Sequence, residues 1–171
     1  MRVRSIALVH EMLYQRENLT SISFKDYVWQ LASDLFLAYH VSQTTINLRV
    51  TSNGMYLGLN SAVPFGIILT ELITNALKYA PSAPIDVLLS QVGDHILISF
   101  IDHGPGIPKE SLPLIFERFY RVRNEKTVTG TGLGLYICRQ IIEAHRGKIW
   151  AESTLGQGTT FFIELPINSQ T

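Results

Sequence analysis

The chain has 171 residues, of which 46% are hydrophobic, and its 14 basic and 14 acidic residues give a formal net charge of +0. This length predicts one domain with a real core plus an appendage, and the hydrophobic fraction excludes global disorder. The neutral balance argues against nucleic acid as a partner, because nucleic-acid-binding domains usually carry a basic excess.

Two helices are predicted at the start of the chain. Residues 3–17, which include His10, show a coiled-coil-like spacing, and this predicts a helix that needs a partner to bury its stripe. A capping box over residues 23–26 opens the second helix. The side chains predicted to form its buried side are Phe24, Val28, Leu31, Leu35 and Ala38.

A strand and a third helix follow. Ile46, Leu48 and Val50 alternate with polar residues, and the Asn-Gly pair at 53–54 predicts a tight hairpin turn after this strand. Ser61 is expected to cap the third helix, which ends near residue 80, before a proline. The uncharged stretch 50–70 is broken by turn residues and a proline, so we expect no membrane contact within the chain.

Strands dominate the remaining part. Two are predicted at 85–90 and 96–101, and a closing hairpin at 149–153 and 159–165. Between the two pairs lie an irregular segment and a helix at 133–146, with Cys138 on its apolar side. Clustered strands between helices predict an α+β fold, a two-layer sandwich. The single cysteine excludes an intrachain disulfide and fits a reducing, cytoplasmic setting.

The third helix carries three polar residues on one side. At 100° per residue, Glu71, Asn75 and Lys78 fall within about 60° of one another, apart from the apolar face. They form either an ordinary solvated face or a magnesium–phosphate edge. In the second interpretation Asn75 offers a neutral oxygen to a hard cation, and Lys78 places a positive charge near phosphate.

Glycines mark two further candidate segments. Asp102 follows a strand directly, with Gly104 and Gly106 behind it, so this segment is either a simple turn or the recognition point for an adenine amino group. The run Gly-Thr-Gly-Leu-Gly-Leu at 130–135 opens a helix. It is either a flexible hinge or a phosphate-binding loop, because amides at a helix start favour anions.

Residues 116–123 lie between these segments and combine aromatic and basic side chains. They form either a solvated surface segment or a lid that Phe116 and Phe119 dock. In the lid interpretation an arginine at 118, 121 or 123 meets the terminal phosphate, because its planar fork pairs with phosphate oxygens.

The ordered set of segments over about residues 60–166 resembles the ATP-binding catalytic domain of sensor histidine kinases. Their superfamily includes gyrase, mismatch-repair and heat-shock-chaperone ATPases. The resemblance implies a Bergerat-type sandwich, a mixed sheet with helices on one face, and ATP and Mg²⁺ as cofactors. The implied catalytic residues are Glu71, Lys78, Arg118 and Arg121. Asn75 is the implied metal ligand, and the implied nucleotide-binding residues are Asn75, Lys78, Tyr79, Asp102, Gly104, Gly106, Ile107, Phe119, Gly130, Thr131, Gly132, Leu133, Gly134, Leu135 and Thr160.

Residues 4–14 are similar to the second dimerisation helix of one histidine-kinase subfamily, whose acceptor histidine lies on the preceding helix. His10 lacks the usual acceptor context and is interpreted as an interface residue at a heptad-like position. The implied organisation is a partial dimerisation segment and linker at 1–22, the catalytic domain at 23–166, and a frayed tail at 167–171.

The leading hypothesis is therefore transfer of the ATP γ-phosphoryl group to a histidine on a dimerisation helix that we expect to lie outside this sequence, in the same or another chain. A response regulator receiver domain is the implied downstream partner. The cytoplasmic setting leaves membrane attachment of a parent protein open. Two alternatives remain, a non-catalytic ATP-binding module that acts through protein contacts, and an anti-sigma-type serine kinase.

Overall fold

A computed structural model of the chain describes residues 21–41, 47–122 and 130–167, apart from the side chains at positions 59 and 60. Several predictions fall outside the described residues. They concern the leading helix, which contains His10, the single residues Ile46 and Arg123, and residues 168–171 of the tail. The predicted division after residue 22 falls within the short strand β1 (Ser21–Ser23), and this division stays a prediction.

A mixed five-stranded sheet forms one layer of the described fold. After β1, the strands are β2 (Leu48–Thr51), β3 (Tyr56–Gly58), β4 (Ile85–Val92), β5 (His95–Asp102), β6 (Lys148–Thr154) and β7 (Gly158–Pro166). Their order in the main sheet is β2-β4-β5-β7-β6, with β2 parallel to β4 and the other neighbours antiparallel. The short strands β1 and β3 pair separately with each other.

Side-chain alternation gives this sheet one buried face. Val87 on β4, Phe100 on β5 and Phe161 on β7 are cross-strand partners, and all three are buried. Their neighbours along the strands point to the other face, where Leu88 is 40% exposed. A two-residue period of this kind is what a sheet with one covered face requires.

Three helices in the described residues form the second layer: α1 (Phe24–Ala38), α2 (Leu59–Tyr79) and α3 (Gly134–Ala144). α2 contacts both other helices, and α3 also packs against β6. The buried Tyr27 hydroxyl joins the first two helices by donating to the Ala62 carbonyl at 2.6 Å. This arrangement confirms the predicted α+β sandwich. No helix in the described ranges is long and apolar enough to cross a membrane.

The N-cap half of the predicted capping box at the start of α1 is confirmed, because the Ser23 hydroxyl accepts a hydrogen bond from the Asp26 amide at 3.4 Å. One local prediction for this helix layer is wrong. Ala38 is exposed, since the buried stripe ends at Leu35 and Phe36. In α3, Cys138 is buried, as predicted. Ile142 is also buried and follows Ile141, one of the residues expected to form the apolar face.

Corrections are also needed around the start of α2. The Asn53-Gly54 turn forms, with φ angles of 46° and 72°, but the strands beside it pair with β4 and β1 instead of with each other. The helix begins at Leu59 without a side-chain cap, so Ser61 does not cap it and Pro64 lies inside it. β3 leads directly into the helix, and this tertiary constraint overrides the local start signal.

Candidate nucleotide-binding site

A cavity of about 610 Å³ lies where the C-terminal half of α2 meets the ends of β5 and β7 and the loop before α3. Its walls come from segments that are far apart in the sequence. The lining residues are Tyr39, Thr70, Glu71, Thr74, Asn75, Ala76, Lys78, Tyr79, Asp102, Pro105, Gly106, Ile107, Ile115, Tyr120, Arg121, Val122, Gly130–Leu135, Thr159 and Phe161. Such a volume suits a ligand of nucleotide size.

The α2 wall presents the polar side predicted from the helical period. Glu71 and Asn75 are half-buried in the cavity, and Lys78 is exposed at its edge. Thr70 and Thr74 are buried beside them, but their hydroxyls donate to main-chain carbonyls about one turn earlier, at 2.7 and 3.1 Å. The carboxylate, the amide and the ammonium group are therefore the polar groups that this helix presents to a ligand.

Asp102 ends β5 at the opposite wall. Burial raises the pKa of its carboxyl group, and hydrogen bonds from the Gly104 and Thr159 backbone, together with His103, only partly oppose this. The Gly104 amide donates to Oδ1 at 3.0 Å, which fixes the side-chain orientation. A carboxylate held in this way accepts a hydrogen bond from a donor inside the cavity.

The loop after Asp102 is held by the β6–β7 hairpin. The Ile107 amide donates to the Ser153 hydroxyl at 2.7 Å, and the Gly156 amide donates to the Pro105 carbonyl at 2.8 Å. Gly106 has a φ of 75°, and a Cβ there would overlap the main chain at residue 154. The glycine therefore permits close packing on the hairpin, in addition to lining the cavity.

The glycine loop enters α3 at the third wall. The N-cap residue of α3, Leu133, makes no side-chain cap, and the first residues of the helix, Gly134 and Leu135, line the cavity. Amides in the first turn of a helix have no acceptor within the helix itself. Gly132 has a φ of 68° and touches the Phe119–Tyr120 backbone, while a Cβ at Gly134 would overlap the Glu71 carboxylate. A helix start that lines a cavity and has close glycine contacts is a favourable place for phosphate oxygens.

A family model described as histidine kinase-, DNA gyrase B- and HSP90-like ATPase matches residues 60–169. The chain belongs to this family. The match covers every wall segment of the cavity except Tyr39. A second model, described as histidine kinase, matches residues 1–39, in agreement with the predicted resemblance of the leading segment.

Curated relatives match more than half of the chain. The adaptive-response sensory kinase SasA of Gloeothece citriformis is 41% identical over 102 residues, which are 58% of this chain and 26% of SasA. The sensor histidine kinase WalK of Bacillus subtilis is 40% identical over 108 residues, covering 60% of this chain and 18% of WalK. The chain therefore spans about a quarter or less of the length of these relatives.

Solved structures agree on the fold of this ATPase family member. The mycobacterial sensor histidine kinase MprB superposes with a TM-score of 0.70 at 25% identity, covering 85% of this chain and 95% of that one. The catalytic domain of histidine kinase ThkA gives 0.69 at 26% identity, covering 87% and 95%. These likenesses confirm the predicted fold class.

Four residues predicted to bind the nucleotide or act in catalysis lie outside the cavity wall: Gly104, Arg118, Phe119 and Thr160. Gly104 acts on the site through its hydrogen bond to Asp102. Thr160 is displaced by strand alternation: Thr159 pairs with Asp102 and is buried on the cavity face, so the next residue points to the other face.

The lid segment is docked differently from the prediction. Phe116 is buried and meets Phe161 edge-to-face, with ring centroids 6.5 Å apart, as expected for a docking residue. Phe119 instead has a left-handed backbone, with a φ of 64°, and is 60% exposed. The Arg118 guanidinium lies over this ring, 4.7 Å from its centroid, while Arg121 lines the cavity.

Sequence reasoning missed several lining residues, and Tyr39 is the least expected of them. It follows the last residue of α1 and reaches the cavity from a different part of the chain. Burial, and then the negative charge of Glu71, raise the pKa of its hydroxyl group. No periodicity or motif marked Tyr39, whereas the strand period identifies Thr159 once the register with β5 is known.

The residues that line the cavity fit a Mg²⁺ ion that is coordinated partly by the protein and partly by phosphate oxygens. The described residues contain no group of three histidine, cysteine, aspartate or glutamate side chains that could enclose a metal ion. Asn75 instead places one amide in the cavity that the glycine loop at 130–135 also lines. A cation with few protein ligands that takes the rest from phosphates and water is the usual situation for Mg²⁺.

Proposed function

We propose that this chain is the catalytic ATP-binding domain of a two-component sensor histidine kinase. It transfers the γ-phosphoryl group of ATP to a histidine on a dimerisation domain, in the same or another chain. The observation that carries this proposal is the single cavity that brings together Glu71, Asn75 and Lys78, the start of α3, and Asp102. Each group faces one part of a bound nucleotide.

The adenine and phosphate ends follow from these positions. The Asp102 carboxylate accepts a hydrogen bond from the adenine amino group, and the apolar side chains of Ile107 and Phe161 pack against the adenine ring. The loop at 130–135 and the first amides of α3 bind phosphate oxygens. The ends are therefore recognised by different elements, and this fixes the direction in which the nucleotide lies.

Transfer then depends on positioning and charge. When bound through Asn75, Mg²⁺ would neutralise negative charge on the phosphates. Lys78 and Arg121 supply positive charge from two sides of the cavity, and the wall position of Arg121 favours it over Arg118 for the terminal phosphate. Glu71 accepts or orients the proton of the incoming imidazole.

The proposed partners are a histidine-containing dimerisation domain and a response regulator receiver domain. The likeness to the two kinases SasA and WalK supports this assignment. We infer a cytoplasmic location, which is favoured by the need for ATP and by a sequence with a single cysteine, which cannot form an intrachain disulfide.

The test is to incubate the chain with Mg-ATP and a purified histidine-containing dimerisation domain, and to measure the rate of acceptor labelling. Asn75→Ala should lower this rate by about a hundredfold, since a bound metal contributes several kcal/mol to charge stabilisation. Asn47→Ala, which changes an exposed amide outside the cavity, is the matched control.

Three results would contradict the proposal in distinct ways. Equal labelling by wild type and Asn75→Ala would remove Asn75 from the site. ATP binding by wild type without labelling of any supplied histidine would favour the non-catalytic module. An acid-stable product would indicate a serine kinase, because phosphohistidine is labile in acid.

A further inference from the structure

The face of the sheet opposite the cavity carries a row of charged side chains beside residues 103–107, which follow Asp102 and which we name the adenine loop. Arg49 on β2 binds Asp86 on β4, through Nε to Oδ1 and through Nη2 to Oδ2 at 3.1 Å. His103, the first residue after β5, places Nε2 2.9 Å from Asp86 Oδ2. We name Arg49, Asp86 and His103 the sheet clamp.

The position of the clamp follows from the strand register. Arg49 pairs with Asp86 across β2 and β4, and Asp86 pairs with Ile101 across β4 and β5. Backbone pairing between β4 and β5 stops at Asp102, so His103 is the first residue beyond this ladder. Its side chain lies diagonal to Asp86, within reach for such neighbours. The clamp therefore continues the β4–β5 connection where main-chain pairing ends.

The electrostatics indicate a well-held carboxylate. The Asp86 side chain is 14% exposed, while Arg49 and His103 are 61% and 41% exposed. Burial alone would raise the pKa of Asp86, but hydrogen bonds from His103 and Arg49 outweigh it and lower the pKa. A two-pronged guanidinium contact fixes the carboxylate geometry. Arg49 therefore orients the group that His103 binds.

The neighbouring residue on the other face is Asp102. Consecutive strand residues point in opposite directions, so a tether on His103 acts directly on the backbone that carries Asp102. Gly158 touches this backbone from the β7 side, where a Cβ would overlap the Asp102 carbonyl oxygen. The entry to the adenine loop is thus held from β7 by packing and from β4 by the clamp.

We propose that Asp86 and His103 are positioning residues for adenine binding. They fix the backbone position of Asp102 so that its carboxylate can accept a hydrogen bond from the 6-amino group. This inference rests on the proposed function, because it takes Asp102 as the contact to the base. Loss of the clamp frees the loop entry on one side and weakens the hydrogen bond to adenine. Contacts to the phosphates, which come from α2 and α3, stay unchanged.

The experiment compares the dissociation constants of ATP and purine riboside triphosphate, which lacks the 6-amino group. Asp86→Asn and His103→Ala should weaken ATP binding by about fivefold, a size typical of one charge-assisted hydrogen bond at a partly exposed site. Binding of the analogue should change by less than about twofold. His103→Gln keeps a donor near the position of Nε2 and should recover most of the ATP affinity.

The matched control is His95→Ala, which removes the histidine at the other end of the same strand. His95 also lies beside a carboxylate, with Nδ1 2.7 Å from Asp94, but it is remote from the cavity. Its loss should leave both dissociation constants unchanged. Equal weakening of ATP and analogue in the clamp variants, or no weakening of either, would overturn the proposal.

A second readout does not depend on any nucleotide. Amide hydrogen exchange in residues 103–107 should rise in Asp86→Asn and His103→Ala, while exchange in the preceding strand β5 stays slow. Unchanged exchange in this loop would refute the clamp. If the loop exchanges faster but wild type does not prefer ATP over the analogue, the clamp stands as a loop tether, the adenine role proposed for it is rejected, and the assignment of Asp102 fails.

Discussion

The absence of a side chain at Gly134 leaves space for the carboxylate of Glu71, the proposed general base. Gly134 is the first residue of α3, and a Cβ there would overlap the Glu71 carboxylate of α2. The carboxylate therefore occupies the space that any larger residue would take. A flexible glutamate can rotate away at small cost, so the constraint at this position is on function more than on folding.

Gly134→Ala should therefore lower the rate of acceptor labelling by at least about tenfold, since a displaced general base forfeits part of a contribution of roughly 10²–10⁴. Stability should stay equal or rise slightly, because alanine is the better helix residue. Labelling kinetics and thermal unfolding measure the two effects. Gly58→Ala is the control, since a Cβ there meets nothing within 4 Å and Gly58 lies outside the cavity. Equal labelling by both variants would show that Glu71 is not positioned by this contact.

At the scale of elements, the lid segment and the glycine loop are one connected unit. The Phe119 amide donates to the Gly132 carbonyl at 3.0 Å, and the Tyr120 hydroxyl donates to the buried Ser111 hydroxyl at 3.0 Å. Gly132 has a left-handed φ, and a Cβ would lie 2.8 Å from the Tyr120 carbonyl oxygen. Movement of either segment therefore requires movement of the other.

We expect Gly132→Ala to weaken ATP binding by at least about tenfold, because the added methyl group must push the lid backbone away from the loop. Left-handed strain alone costs about 1–2 kcal/mol, and the control separates this from the collision. Gly156→Ala carries the same strain, with a φ of 78°, but its Cβ meets nothing within 4 Å. ATP titration and urea unfolding should show lost stability in both variants and lost affinity in Gly132→Ala alone. Equal affinities would disprove the coupling.

The hydrophobic period of the sequence predicts helices and strands better than it predicts which strands pair with each other. The helical period places Glu71, Asn75 and Lys78 on one side of α2, and the structure brings all three to the cavity. Strand pairing depends on residues far away in sequence, so the turn at 53–54 forms without the expected hairpin. An error of one residue reverses the face of a strand, and Thr160 illustrates this outcome.

The same limit applies to the segments without regular structure. Phe116 and Phe119 have similar side chains at a three-residue spacing, yet one is buried and the other is 60% exposed. The difference arises from the left-handed backbone at Phe119 and its bond to Gly132, a contact between separate segments. Tyr39 reaches the cavity only because α1 packs on α2. Local sequence carries no signal for either arrangement.

At the scale of the whole molecule, the hydrophobic core and the cavity share a wall. Phe161 on β7 is buried against Phe116 and also lines the cavity. Its cross-strand partner Phe100 is equally part of the core but does not reach the cavity. A change at Phe161 should therefore affect both stability and nucleotide binding, whereas a change at Phe100 should affect stability alone.

Phe161→Leu and Phe100→Leu should each lower the free energy of unfolding by about 1–2 kcal/mol, because both leave a partly filled space in a close-packed core. Only Phe161→Leu should also weaken ATP binding in the folded protein, by about fivefold, since it loses apolar contact with the base and loosens the packing of Phe116. Urea unfolding gives the first quantity and calorimetric titration at low temperature the second. Parallel loss of affinity in both variants would mean that global stability, and not the shared wall, controls binding; unchanged affinity in both would place the base elsewhere in the cavity.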